Sequence, residues 1–327
     1  MQMTSATLII KPCGDRCNIH CGYCYNRNVY INDEFSSNLK LSNFYSYLDK
    51  FKDYKNIFIV FHGGEPLLKG IIFFEEILSY ISENFKNKWN VQVQTNGTLL
   101  NDKYIDLFSR YIPNLSVSVS IDPIGVKDLR FFNDSYLRQN VISNISDCAM
   151  LIPNTGIISI AHKYNIDYFN EFIENLIDAN IHSLTVNKIK NYNLGKSEFF
   201  ITELDYVNLL ISICKFVISN KLYQQINIQP LYALFSSCNK FCNFLNDNNK
   251  CFNFKTYDGS SEINQCEHYN IAKNYYINSQ ECNKCSIVNR CGRGCYAEKR
   301  DETFCEARKL LFDFIDRIAN DSKKIKC

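Results

Sequence analysis

The chain has 327 residues, a net charge of +2, 46% apolar residues and 16 cysteines. That length suits one large domain and a small one, and the near-neutral charge excludes a global field for nucleic acid or an anionic membrane surface. The longest greasy stretches are broken by Glu75-Glu76 or Lys215, so no membrane span is expected. No charged segment with an apolar core opens the chain, so no secretory signal is read. Many cysteines without export point to metal rather than disulfides, and to a well-reduced cytoplasm.

The first predicted strand, residues 6–10, runs into a loop that carries Cys17, Cys21 and Cys24 in C-x3-C-x2-C spacing. A structural four-iron cluster uses four thiolates, so three leave one iron open to a ligand that is not protein. Tyr23 stands between the last two cysteines, where its ring could stack on a nucleobase. A helix follows over 42–51 and a strand over 57–61, which ends in His62-Gly63-Gly64-Glu65-Pro66. Paired glycines after a strand let backbone approach a ligand closely, although a tight strand-to-helix turn reads the same way.

Helix 71–85, strand 91–94, helix 102–110, strand 115–121, helix 136–151, strand 157–161, helix 168–179, strand 184–186 and helix 203–220 continue the alternation. Such alternation implies a parallel sheet with right-handed crossovers. Six units are too few for the eight-fold closed barrel, so the expected fold is α/β, a partial (β/α)6 barrel of parallel strands. A doubly buried parallel strand should be apolar on both faces. Here Ser116, Ser118 and Ser120 share one face, and so do Gln92, Gln94 and Asn96. These faces are expected to line a polar cavity.

Beyond the barrel, taken as 1–222, residues 223–327 form a small Cys-rich domain with a closing helix over 306–318. A thin core of this kind needs staples, and metal is the natural one. Cys282, Cys285, Cys291 and Cys295 stand as C-x2-C-x5-C-x3-C, followed by Cys305 and preceded by Cys242, Cys251 and Cys266.

The segment from Cys17 to Cys24, with its aromatic Tyr23, resembles the signature of the radical S-adenosylmethionine (radical SAM) enzymes. Gly63-Gly64-Glu65-Pro66 resembles that family's GGEP motif, and Gln94-Thr95-Asn96-Gly97 and Ser120-Ile121-Asp122 are similar to its later strand ends. Pro123 stands where relatives often carry glycine, which leaves that local turn open. The resemblance implies a [4Fe–4S] cluster on Cys17, Cys21 and Cys24, with SAM chelated to the free iron. It also implies SAM contacts from Tyr23, His62, Gly63, Gly64, Glu65 and Ser120, and from Arg130 or Arg138 toward the SAM carboxylate; both arginines could equally be surface residues.

The C-terminal cysteines resemble the SPASM domain of peptide- and protein-modifying radical SAM enzymes. One departure is Gly259 and Cys266, which stand as G-x6-C where that domain has G-x4-C. The resemblance implies two auxiliary [4Fe–4S] clusters. One would take Cys251, Cys266, Cys295 and an upstream ligand, Cys242 or its rival Cys238. The other would take Cys282, Cys285, Cys291 and Cys305. Two zinc sites are the alternative for these spacings, as a zinc knuckle is for the N-terminal triplet.

Glu267 corresponds to a base in sulfatase-maturing relatives, and is otherwise a surface carboxylate. The expected activity is oxidative modification of a ribosomally made peptide or protein by crosslinking, epimerisation or oxidation. An external one-electron donor of flavodoxin or ferredoxin type would drive it. Cys17 lies close to the start of the sequence, so recognition of a leader peptide is expected to fall to a separate protein or to the barrel rim. The alternatives are a radical SAM enzyme for a small metabolite, or an iron–sulfur electron carrier without SAM chemistry.

Overall fold

Alternation of valine with serine or glutamine builds the centre of the sheet. Strand β3 (Trp89–Thr95) and strand β4 (Leu115–Ser120) lie side by side and parallel. Val91, Val93, Val117 and Val119 are at most 1% exposed and belong to the main apolar core. The opposite faces carry a polar ladder. Gln92 Nε2 donates to Ser118 Oγ at 2.8 Å, and Gln94 Nε2 donates to Gln92 Oε1 at 3.0 Å. The polar face read from the sequence is therefore present and hydrogen-bonded to itself.

The computed structural model describes residues 5–24, 40–85, 88–131, 134–189, 198–235, 254–259, 262–263, 280–294 and 300–324. Before the central pair come β1 (Ser5–Ile10), α1 (Leu41–Asp49), β2 (Asn56–Phe61) and α2 (Ile71–Phe85). After β3, α3 (Asp102–Ser109) leads to β4. Then follow α4 (Ser135–Leu151), β5 (Thr155–Ala161), α5 (Phe169–Asp178), β6 (Ser183–Lys188) and α6 (Glu203–Ser219). These are the six strand–helix units read from the sequence.

Three short strands were not legible. Strand β7 (Asn227–Gln229) extends the β6 edge, and β8 (Phe254–Tyr257) pairs in parallel with β1. Strand β9 (Glu262–Ile263) returns antiparallel to β8. The sheet runs β7-β6-β5-β4-β3-β2-β1-β8-β9 and stays open. Runs of two to four residues carry too little periodicity to be read. Both β7 and β8 come from beyond residue 222, so the sheet draws on both halves of the chain.

Helix α2 shows why one face of the sheet is sealed. Phe73, Phe74, Ile77, Leu78, Ile81 and Phe85 form one buried stripe. Phe74 meets Phe61, Tyr104 and Phe108 edge-on at 5.3–5.9 Å. Helix α6 begins with a capping box, in which Asp205 N donates to Thr202 Oγ1 and Thr202 N donates to Asp205 Oδ2.

The C-terminal segment is fixed at two places. Tyr257 stacks on Tyr47 at 4.1 Å, with Lys50 and Glu262 paired at 3.2 Å nearby. The closing helix (Phe304–Lys324) packs on α6 and buries Leu311, Phe312 and Ile315, each at most 2% exposed.

Replacing Val117 by serine puts a hydroxyl on the helix-facing side of β4. The unfolding free energy should fall by about 2–4 kcal/mol, read as a lower denaturant midpoint with an unchanged slope.

Candidate functional site

The site lies at the carboxyl ends of β1 to β5. After β1 the chain turns through Gly14, whose φ of 57° is in the left-handed region. Gly14 N donates to Lys11 O and Arg16 N to Cys13 O. The loop then seats on the glycine turn after β2. Gly64 N donates to Gly14 O at 3.0 Å, and Glu65 N donates to Arg16 O at 2.8 Å. A Cβ at Gly64 would stand 1.9 Å from Arg16 O, and one at Gly63 would stand 2.3 Å from Gly14 O. The first demand on these glycines is thus the backbone of the cysteine loop, where the sequence alone pointed to a ligand. Half-buried His62 anchors the same turn through its backbone N–H, which donates to Ile10 O.

Glu65 is fully buried and braces this junction from inside. It accepts from Leu67 N (3.0 Å), Thr95 Oγ1 (2.8 Å) and Asn96 N (2.7 Å). Burial pushes its carboxyl up to about 7, with the three donors pulling the other way. Glu65 so ties the end of β2 to the end of β3.

The same loop carries the three thiols. Cys21 is 8% exposed, and Cys17 and Cys24 are half-buried. Two side-chain donors point at sulfur: Asn96 Nδ2 at 3.6 Å from Cys17 Sγ, and Arg130 Nη1 at 3.9 Å from Cys21 Sγ. Asn96 also donates to Asn18 Oδ1. Burial pushes the Cys21 thiol up to about 12 against the pull of Arg130, and raises Cys17 in the same way. Buried sulfurs with N–H donors and a fixed guanidinium suit a bound iron–sulfur group, whose metal replaces the thiol protons. The donor set fits a cluster.

Asp122, 2% exposed just past β4, is the hub beneath the thiols. Its carboxylate accepts from Tyr23 OH, from Arg130 Nε (3.3 Å) and Nη2 (3.4 Å), and from Ile160 N (2.8 Å). Arg130 also lies 5.5 Å from the Tyr23 ring centroid. Arg138 donates to Asp122 O and, at 2.9 Å, to Asp128 Oδ2. Both arginines are buried and paired with carboxylates of the chain, so neither is the surface residue the sequence left open. Ser120 stands half-exposed at the end of β4. Burial raises the Tyr23 phenol well above its ordinary value, against the pull of Arg130.

Sequence reading passed over His162, 1% exposed just after β5, whose ring centroid is 6.0 Å from that of Tyr23. Burial lowers its pKa, so the neutral imidazole is favoured. Its signal was a lone polar aromatic ending an apolar strand. Asn96 and Asp122 were quoted within strand-end motifs without a role of their own, and Asn18 was visible only as a residue between the cysteines.

A second group of thiols gathers in the C-terminal segment. Cys282, Cys285, Cys291 and Cys305 line one pocket with Phe304 and Arg308. Arg300 Nη1 stands 3.8 Å from Cys282 Sγ. Burial raises the Cys291 thiol, with Arg308 and Arg300 opposing. Among the described residues no group of three or more His, Cys, Asp or Glu could hold a single metal ion; these sulfurs surround a pocket instead of closing on one point. Here too the donor set and its guanidinium partners fit a cluster. Cys238, Cys242, Cys251, Cys266, Glu267 and Cys295 lie outside the described residues.

The sequence profile of the Radical SAM superfamily matches residues 12–176. The chain is 24% identical to the radical SAM cyclopropyl synthase TigE of Paramaledivibacter caminithermalis, over 99% of this chain and 75% of that protein. It is 30% identical to a cysteine-type anaerobic sulfatase-maturating enzyme of Clostridium novyi, over 51% of this chain and 43% of that protein. The chain thus matches less than half the length of the latter. Its fold matches that of native anSMEcpe with bound AdoMet and Cp18Cys peptide, with a TM-score of 0.72 at 19% identity, covering 97% and 99% of the two chains.

A Gly64→Ala change should displace the cysteine loop, costing about 1–3 kcal/mol and most of the iron bound by Cys17, Cys21 and Cys24. Gly22→Ala, whose added Cβ would meet Leu129 at an ordinary 3.6 Å, should keep its iron. Iron content and thermal unfolding after anaerobic reconstitution read both outcomes.

Proposed function

Because this chain belongs to the radical SAM superfamily, we propose that it is a maturase that oxidatively modifies a side chain or backbone position of a ribosomally made peptide or protein. The observation that carries this reading is the pairing of a three-thiol loop, locked onto the glycine turn, with a separate four-thiol pocket in the C-terminal segment. The relatives support the same choice, since one carries the name of sulfatase maturation and one solved neighbour holds a peptide.

The 4Fe–4S cluster and SAM, when bound, supply one-electron cleavage of SAM to methionine and a 5′-deoxyadenosyl radical that removes a substrate hydrogen atom. Cys17, Cys21 and Cys24 would hold the cluster, and Asn96 and Arg130 would hold two of the sulfurs in place. Gly63, Gly64 and His62 would present the turn against which SAM lies, and Tyr23 and Ser120 would contact it from the loop and from β4. Glu65 serves SAM by fixing that turn. Arg130 and Arg138 would act on it through Asp122, each held in place by a buried carboxylate partner.

In the C-terminal half, Cys282, Cys285, Cys291 and Cys305 would hold one auxiliary cluster. Cys251, Cys266, Cys295 and Cys242 would hold the other, as the SPASM resemblance implies. Glu267 would accept the substrate proton, and the auxiliary clusters would take the electron left on the substrate. A flavodoxin- or ferredoxin-type protein would return an electron to the N-terminal cluster in the cytoplasm, with leader recognition on a separate protein or on the barrel rim.

With dithionite and SAM, the reconstituted chain should form 5′-deoxyadenosine, and Cys21→Ala should reduce this to background, at least about 100-fold. A Cys21→Ala chain as active as wild type sinks the assignment of the loop. A short peptide encoded beside the gene should yield a product of altered mass only with the intact enzyme. Turnover of a small metabolite instead would sink the maturase reading alone.

A further inference from the structure

Among the described residues the carboxylates at most 2% exposed are Glu65, Asp122 and Glu203. The first two serve the N-terminal thiol loop. Glu203, the first residue of α6 and fully buried, does not. Its Oε2 lies 2.6 Å from Lys188 Nζ and its Oε1 lies 2.5 Å from Arg308 Nε. Lys188 ends β6 at the carboxyl edge of the sheet. Arg308, 6% exposed on the closing helix, lines the pocket of Cys282, Cys285, Cys291 and Cys305. The backbone is held as well, since Glu203 N donates to Asp301 Oδ2 at 2.8 Å and Leu204 N donates to Thr303 Oγ1 at 3.1 Å.

A buried row of cation, anion and cation therefore connects the carboxyl end of β6 to the C-terminal thiol pocket. Charges removed from water act on one another strongly, and a fully buried carboxylate persists only with such partners. A cluster on four thiolates is negatively charged, so a guanidinium at its wall stabilises the form with one more electron. Glu203 takes up part of the Arg308 charge.

We propose that Glu203 is a positioning residue that clamps Arg308 at the wall of the C-terminal thiol pocket and, by partly neutralising it, lowers the reduction potential of the cluster held there. The inference rests on the reading that this pocket holds an iron–sulfur cluster. Lys188 enters the same balance from the far side, because it shares the carboxylate with Arg308.

Redox titration of the full-length holoprotein, followed by electron paramagnetic resonance, tests it. The relevant signal is the one lost, with its share of iron, in Cys282→Ser. Glu203→Gln should shift that midpoint upward. Lys188→Gln should shift it downward, because Glu203 then acts on Arg308 alone, although Lys188 is not among the residues lining the pocket. A general loosening of the fold would move both variants the same way, so equal-signed or absent shifts overturn the proposal. If Glu203→Gln does not fold, Lys188→Gln decides alone, with a downward shift in support and any other result against. A Cys282→Ser chain that keeps its full iron and every wild-type signal removes the cluster itself, and the reading beneath the proposal with it.

Discussion

Two backbone segments in direct contact set the geometry on which the site depends. The loop from Gly14 to Arg16 lies on Gly63-Gly64 so closely that no side chain fits between them. The hydrogen bonds Gly64 N to Gly14 O and Glu65 N to Arg16 O make that contact specific. Because the loop leaves β1 and the turn leaves the neighbouring β2, sheet register is passed directly to the cysteines. Cys17 is one residue from the last of these contacts. Glu65 then carries the same register inward to β3 through Thr95 and Asn96, and Asn96 returns it to the Cys17 sulfur. The first three strands and the thiol loop form one closed circuit of hydrogen bonds.

Electrostatics follow the same route. Asp122 gathers Tyr23, Arg130 and the backbone of β5 around one buried carboxylate. Its charge keeps Arg130 buried beside Cys21, where a guanidinium without an anion would be costly. The arginines near the thiols are therefore part of the protein's own framework, and their effect on a bound anionic group acts through the field of the site. At the other end of the chain Arg300 and Arg308 stand beside thiols in a similar way, with Glu203 in the place that Asp122 holds in the barrel.

Much of this was legible in the sequence because two periodicities coexist. Strict alternation in β3 and β4 separated a helix-facing side from a polar one, and the glycine turn and cysteine spacing marked the strand ends. What stayed hidden has physical causes. Strand β8 has four residues and exists because β1 offers it a parallel edge, a tertiary fact with no local signal. His162 and Asp122 are single residues whose meaning comes from neighbours far away in sequence. Glu203 reads as an ordinary first-turn carboxylate that favours a helix N-terminus; its burial between Lys188 and Arg308 depends on how the closing helix packs on α6.

The pairing of β8 with β1 bears on how such a protein could arise. β8 covers β1 along the side away from β2, and Lys11 N donates to Tyr257 O at the base of the cysteine loop. Without that partner β1 would be an edge strand, its amides open to any passing chain, next to the loop that carries Cys17, Cys21 and Cys24. The C-terminal segment is therefore woven into the sheet of the N-terminal half, and cutting or grafting it as an independent module would unzip the strand that leads into the loop of Cys17, Cys21 and Cys24.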